Sequence, residues 1–213
     1  MRLSQRAETL GTENAFVVLA EVAKLVDQGR DVVSFCIGQP DFATPEHIQE
    51  AAIRAIKGGK HGYTPSPGIP ELRQAVAAFF TRTRGFPVEP DEVVVACGGK
   101  PFIAYAILSV CDYGTGDEVI YPNPGFPIYG SQVVASGAVP VPLDLRESRE
   151  FRFDLDELAA KVNERTRLLI LCSPHNPTGS VMTRADFEAV AEIVAPFDNL
   201  WIYADEVYSG LVY

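Results

Sequence analysis

Four short segments carry residue types that could together hold a charged, planar molecule. CGGKPF (97–102) has two glycines that let the backbone turn tightly, then Lys100, then Pro101 opening a helix. N–H groups at a helix start beside a cationic side chain suit a phosphate, though the same turn also serves plain chain reversal. PNPGFPIYG (122–130) has three prolines fixing an irregular loop that presents Phe126 at a helix start. That ring is either a core aromatic or a flat plate for a planar ligand. SPHNPTGSVM (173–182) sets Asn176 between His175 and Pro177. A residue before proline is kept out of the helical region, which aims the Asn176 amide in a fixed direction; the bland reading is a turn, with His175 a loop histidine. YADEVYSGLVY (203–213) places Asp205 where an apolar run finishes and Tyr208 three residues on. If the chain turns helical there, the two share a face. A carboxylate at the end of a buried strand needs a cation or several donors, and no Arg or Lys lies nearby in sequence.

Each segment follows a run that reads as a strand. Strand-like runs are 92–96, 117–121, 138–142, 167–172 and 200–204, and helix-like runs cover 101–111, 126–135 and 184–194. Near-continuous apolar strands separated by helices predict an α/β fold, a mainly parallel sheet with helices on both faces. Ligands in such sheets bind outside the carboxyl ends of the strands, where these four segments lie. Ahead of this region, 14–28 has helical apolar spacing stopped by Gly29, and DVVSFCIG (31–38) reads as a short strand. Thr44-Pro45 predicts a helix with Thr44 as N-cap, running to about Lys57, and 70–83 a further amphipathic helix.

The 213 residues suffice for one large domain or a domain with an appendage. With 47% hydrophobic and 22% charged residues they can build a sizeable core. A net charge of −10 without a basic cluster argues against nucleic acid. The polar start and the lack of an apolar run of ~18 residues argue against a membrane span and make cytoplasmic the expected compartment. Cys36, Cys97, Cys111 and Cys172 show no C-x-x-C pair and read as reduced core thiols; no metal site is expected. No P-loop, G-x-G-x-x-G or G-x-S-x-G pattern is present, which sets aside nucleotide-binding oxidoreductase and serine-hydrolase readings.

A phosphate seat, an aromatic plate, an amide, and a carboxylate with a phenol describe a phosphorylated aromatic ring with a basic nitrogen and a hydroxyl. Pyridoxal 5'-phosphate has all of these, and Asp205 would keep its ring nitrogen protonated. The sequence also resembles the class I/II aminotransferases, fold type I pyridoxal-phosphate enzymes similar to aspartate aminotransferase. The resemblance spans the chain, through IGQPDFATPEHI (37–48), GYTPSPGIPELRQAV (62–76), CGGKPF, PNPGFPIYG, SPHNPTG (173–179) and YADEVYSGLVY. It implies that Gly99, Lys100 and Pro101 form the phosphate turn and that Phe126 stacks on the ring. Asn176 and Tyr208 would bond the ring hydroxyl, Asp205 the ring nitrogen, and Tyr63 the phosphate of a partner subunit. Gly38 and Asn176 would meet the substrate. The implied partners are an amino acid, a 2-oxo acid and a second copy of the chain. Residues 1–45 would be an N-terminal arm and small-domain segment, and 46–213 the cofactor-binding large domain.

Two departures stand out. The family's Schiff-base lysine and carboxylate-binding arginine fall beyond the position of Tyr213, and none of Lys24, Lys57, Lys60, Lys100 and Lys161 takes the lysine's place. Pro101 has no N–H for a phosphate. The expectation is therefore the first half of a longer aminotransferase with an incomplete sheet, from a truncated reading frame or incomplete gene, with no catalytic residue within the 213. The alternatives are a carbon–sulfur β-lyase or cyclopropane-carboxylate synthase relative of the same fold, and a non-catalytic remnant.

Overall fold

The computed structural model describes residues 14–212 and, before them, residues 2, 4, 7, 8 and 10. The expected N-terminal arm falls mostly outside the described residues. These contain seven α-helices: α1 (Asn14–Asp27), α2 (Glu46–Lys57), α3 (Pro70–Arg84), α4 (Lys100–Val110), α5 (Ile128–Ala135), α6 (Leu155–Lys161) and α7 (Arg184–Val194). They also contain four strands: β1 (Glu118–Asn123), β2 (Val139–Asp144), β3 (Thr166–Cys172) and β4 (Trp201–Asp205). Two compact units emerge, Asn14–Cys97 and one containing Gly98–Tyr213. No helix among the described residues is long and apolar enough to cross a membrane.

The second unit is the predicted parallel α/β sheet. Its strands lie in the order β2-β1-β3-β4, each parallel to its neighbour. β3, TRLLILC, is buried at every position except Arg167, as a central strand covered on both faces must be. Alternate residues serve opposite faces: Leu168 and Ile170 pack with α4 and α5, through Ile103, Ile107, Tyr129 and Val133. Leu169 and Leu171 pack with α6 and α7, through Leu158 and Val190. Val119 and Ile120 of β1 divide the same way. Because β1 leads outward to β2 while β3 leads the opposite way to β4, the strand order reverses between β1 and β3. That reversal opens a crevice at the strands' carboxyl ends.

Charge pairs tie the opposite, amino-terminal ends. Glu118 accepts from Arg165 Nη2 at 2.6 Å and from Asn163 Nδ2 at 2.7 Å. Asp117 accepts from the backbone of Asp112 at 2.8 Å and from Arg167 at 3.2 Å. The Asp112 N–H, with the Thr115 hydroxyl and Arg167, outweighs burial and holds the Asp117 carboxyl below its ordinary range.

Several expectations are corrected. Residues 31–38 form no strand: Val33 and Phe35 are exposed, and no described segment supplies the ladder partner that a strand requires. Residues 92–96 are likewise no strand. A 3-10 turn (Pro90–Glu92) takes up the first of them, Val95 N bonds to Pro67 O at 2.9 Å, and Arg73 of α3 binds Val93 O at 2.9 Å. Pro45, not Thr44, occupies the N-cap of α2, with no side-chain cap bond. The sequence reading also missed α6, which Asp154 caps by accepting from Glu157 N at 3.3 Å. Cys111 and Cys172 are buried thiols, but Cys97 is exposed and Cys36 half-buried.

Candidate functional site

A cavity of about 190 Å³ lies at the carboxyl ends of β3 and β4. Cys172 and Asp205, which end these strands, are register partners, so their side chains reach the same level of the sheet. The loop after β1 brings Phe126, α4 brings Gly99 and Lys100 from its first turn, and the segment after β3 brings Asn176. The turn after β4 brings Tyr208. Gly98, at φ +83°, makes the tight turn into α4 in a conformation only glycine enters without strain. Lys100 Nζ sits 5.5 Å from the centre of the Phe126 ring. Asn176 Nδ2 donates to Tyr208 Oη at 3.4 Å, which links the β3 and β4 loops.

The acid at this cavity has its donor. Tyr129 Oη donates to Asp205 Oδ2 at 2.6 Å, and Val207 N reaches Asp205 Oδ1 at 3.4 Å. Among the described residues no cation pairs with Asp205. Tyr129 is fully buried, and its ring meets Phe126 edge-on at 5.8 Å and 85°. Burial, then the bond to Asp205, pushes the Tyr129 phenol far up, so it stays protonated. Burial raises the Cys172 thiol, opposed by the Asn176 backbone. Tyr203 rises to about 12 through burial and then the charge of Asp205. His175 lies in the loop after β3, as read, and is buried there: Nδ1 meets Thr178 Oγ1 at 2.8 Å and Nε2 has no hydrogen-bond partner. Burial lowers its pKa, with the Pro124 carbonyl pulling the other way.

A roomier hollow of about 640 Å³ runs along the outer side of β4 beside α4. Its cation, Arg167, is engaged by Asp117, and it lies away from the strand ends where Asp205, Asn176 and the α4 start converge. The smaller cavity is therefore the chemically equipped one. It can accept a molecule with an anionic group, an aromatic face and a proton-bearing ring atom, using helix start, Phe126 and Asp205 in that order.

The family described as aminotransferase class I and II matches residues 30–213. The chain belongs to the class I and II aminotransferases. It is 36% identical, over 99% of its length, to the probable aspartate/prephenate aminotransferase of Aquifex aeolicus, and 38% identical, over its whole length, to the aspartate aminotransferase of Streptomyces avermitilis. It covers 53% and 52% of those proteins, so the chain spans about half the length of the curated relatives it matches. Among solved structures, Thermus thermophilus aspartate aminotransferase with maleate superimposes with a TM-score of 0.94 at 37% identity, over 100% of this chain and 55% of that one.

For this class I and II aminotransferase chain, the structure gathers Gly99, Lys100, Phe126, Asn176, Asp205 and Tyr208 around one cavity, with Pro101 the next residue of α4. Gly38 and Tyr63 belong to the other unit, both exposed, Tyr63 fully so. The sequence reading passed over Tyr129. Its spacing from Phe126, three residues within a helical stretch, was the available signal that both face the same side. Cys172 was read as a core thiol only, and it is both buried and a wall of the cavity.

Proposed function

We propose that this chain is the cofactor-binding part of a pyridoxal-phosphate-dependent aminotransferase. The full protein would move an amino group between an amino acid, aspartate first on the strength of the relatives' names, and a 2-oxo acid. The observation that carries the reading is the carboxylate of Asp205 at the cavity, held by Tyr129 and with no cationic partner among the described residues. An acid so placed fits a ligand that brings its own positive charge. The donor set fits pyridoxal phosphate. Gly99, Lys100 and the turn through Pro101 would take the phosphate and Phe126 the ring face. Asn176 and Tyr208 would take the ring hydroxyl, and Asp205 the ring nitrogen. When bound, that cofactor supplies an electron sink for the bonds of the substrate's α-carbon.

This chain's own residues would orient and charge the ring: Phe126 fixes its plane, the α4 start anchors one end, and Asp205 keeps the nitrogen protonated. Gly38 and Asn176 are proposed substrate contacts, and Tyr63 a contact to the phosphate of a partner subunit in a cytoplasmic homodimer. In the full fold we propose 1–45 as arm and small-domain segment and 46–213 as large domain. The test is an assay of the full-length protein with aspartate and a panel of 2-oxo acids, followed as oxaloacetate formed. Amino transfer supports the reading. Absence of transfer from aspartate and from every other common amino acid sinks it.

A further inference from the structure

Tyr129 lies 76 residues from Asp205 in the chain, yet its hydroxyl makes a short contact of 2.6 Å to Oδ2. Its position is fixed by packing. The side chain is wholly buried in the cluster formed with Ile103, Val133 and Ile170, and its ring abuts Phe126. The titratable and charged groups around Asp205 are few. Tyr129 comes from α5, Cys172 from β3, Tyr203 from β4 itself, Tyr208 from the next turn and Lys100 from the α4 start on the same cavity. Among the described residues only Tyr129 gives Asp205 a short bond, and Oδ1 receives just the long approach of Val207 N.

A donor aimed at a carboxylate stabilises its charged form. Where a carboxylate and a ring nitrogen share one proton, such a donor therefore favours carboxylate plus protonated ring over acid plus neutral ring. We propose that Tyr129 is a positioning residue: by donating to Oδ2 it holds Asp205 as a carboxylate, leaves Oδ1 as the acceptor for the ligand, and so keeps the shared proton on the ring nitrogen. This rests on the reading of the cavity as a pyridoxal phosphate site. Tyr129 also lines the cavity, but in this role it acts through Asp205.

The experiment binds ring-¹⁵N-labelled pyridoxamine 5'-phosphate to this chain and follows the nitrogen chemical shift with pH. In Tyr129→Phe, which keeps the ring packing, the nitrogen shift on the protonated side of the titration is expected to move toward that of the neutral ring, as the shared proton passes in part to Asp205, and the midpoint of the pair is expected to rise, because the unpaired carboxylate has lost its donor. Replacing Tyr129 by 3-fluorotyrosine, a stronger donor of nearly the same size, is expected to lower the midpoint with the proton still on the ring. A merely structural role would move neither while circular dichroism stays native. If Tyr129→Phe does not fold, the fluorotyrosine protein carries the test alone. Protonated-side shifts and midpoints equal to wild type in the folded variants overturn the proposal while leaving the cofactor reading in place. A wild-type chain that binds no pyridoxamine phosphate overturns the cofactor reading, and the role of Tyr129 falls with it.

Discussion

At the scale of single residues, the site turns on where charge is placed. Asp205 is half-buried, held by one phenol, and without a cation among the described residues. Asp205→Asn keeps the shape but removes the charge that would pair with a protonated ring. A charge-assisted bond of roughly 1.5–3 kcal/mol corresponds to about a ten- to hundredfold loss of pyridoxamine phosphate affinity, read by fluorescence titration. An unchanged affinity would place the ring elsewhere. His175 makes a different prediction. Burial depresses its pKa below the ordinary histidine value of 6.5, so the unfolded chain takes up a proton that the folded one resists. Stability is then intact above about pH 6.5 and falls as pH drops below it, until the folded pKa is passed. Urea midpoints at pH 7.5 and 5.5 should differ less in His175→Gln than in wild type. Of these residues, sequence showed Asp205, Phe126, Asn176 and Tyr208 because each follows a strand. It hid the burial of His175 and the donor from Tyr129, since both depend on side chains brought together from distant segments.

At the scale of elements, α7 shows how a helix behind the site is anchored. Thr183 Oγ1 accepts from Asp186 N at 3.2 Å and Asp186 Oδ2 accepts from Thr183 N at 2.7 Å, a reciprocal capping box. Asp186 also binds Arg152 at 3.2 Å. Burial pushes the Asp186 carboxyl up, but the Thr183 N–H and hydroxyl and Arg152 outweigh it and leave its pKa lowered. Thr183→Ala should cost about 1 kcal/mol in urea unfolding. Asp186→Ala should cost more, because it also takes the partner from Arg152 Nη1 and leaves that guanidinium, whose Nε has no hydrogen bond, with Glu150 at 3.3 Å alone. Equal losses would mean that the ion pair contributes nothing. The run read as helical, 184–194, matches α7 residue for residue from its apolar stripe; the Thr183–Asp186 box that starts it was not read. The four strands were legible from apolar runs to within a residue or two. Residues 31–38 and 92–96 carry similar runs and are not strands, since a strand is made by its neighbour and sequence does not show who that is. α6 escaped because seven residues give too little periodicity to read.

At the scale of the molecule, the sheet has two ends that differ. At one, β2 pairs with β1 alone and carries Pro140 and Pro142; at the other, β4 pairs with β3 alone among the described residues and carries no proline. Its Trp201 and Ile202 are 64% and 45% exposed, on a strand whose outer backbone groups face no described neighbour. An edge that is apolar up to the one charge at its end, Asp205, with no proline along it, is a template for pairing with another chain. The 213-residue chain should therefore associate with itself as its concentration rises. Sedimentation velocity over about 5–200 μM should show growing species, and Ile202→Lys should suppress them by placing a charge on the edge. The substitution leaves Asp205 and the cavity walls untouched, so any pyridoxamine phosphate binding should survive. A wild-type chain that stays monomeric throughout would show that the edge is covered, and Ile202→Lys would then lower stability rather than association. Association suppressed together with ligand binding would instead tie the edge to the site, through the β3–β4 ladder that ends in the register pair of Cys172 and Asp205.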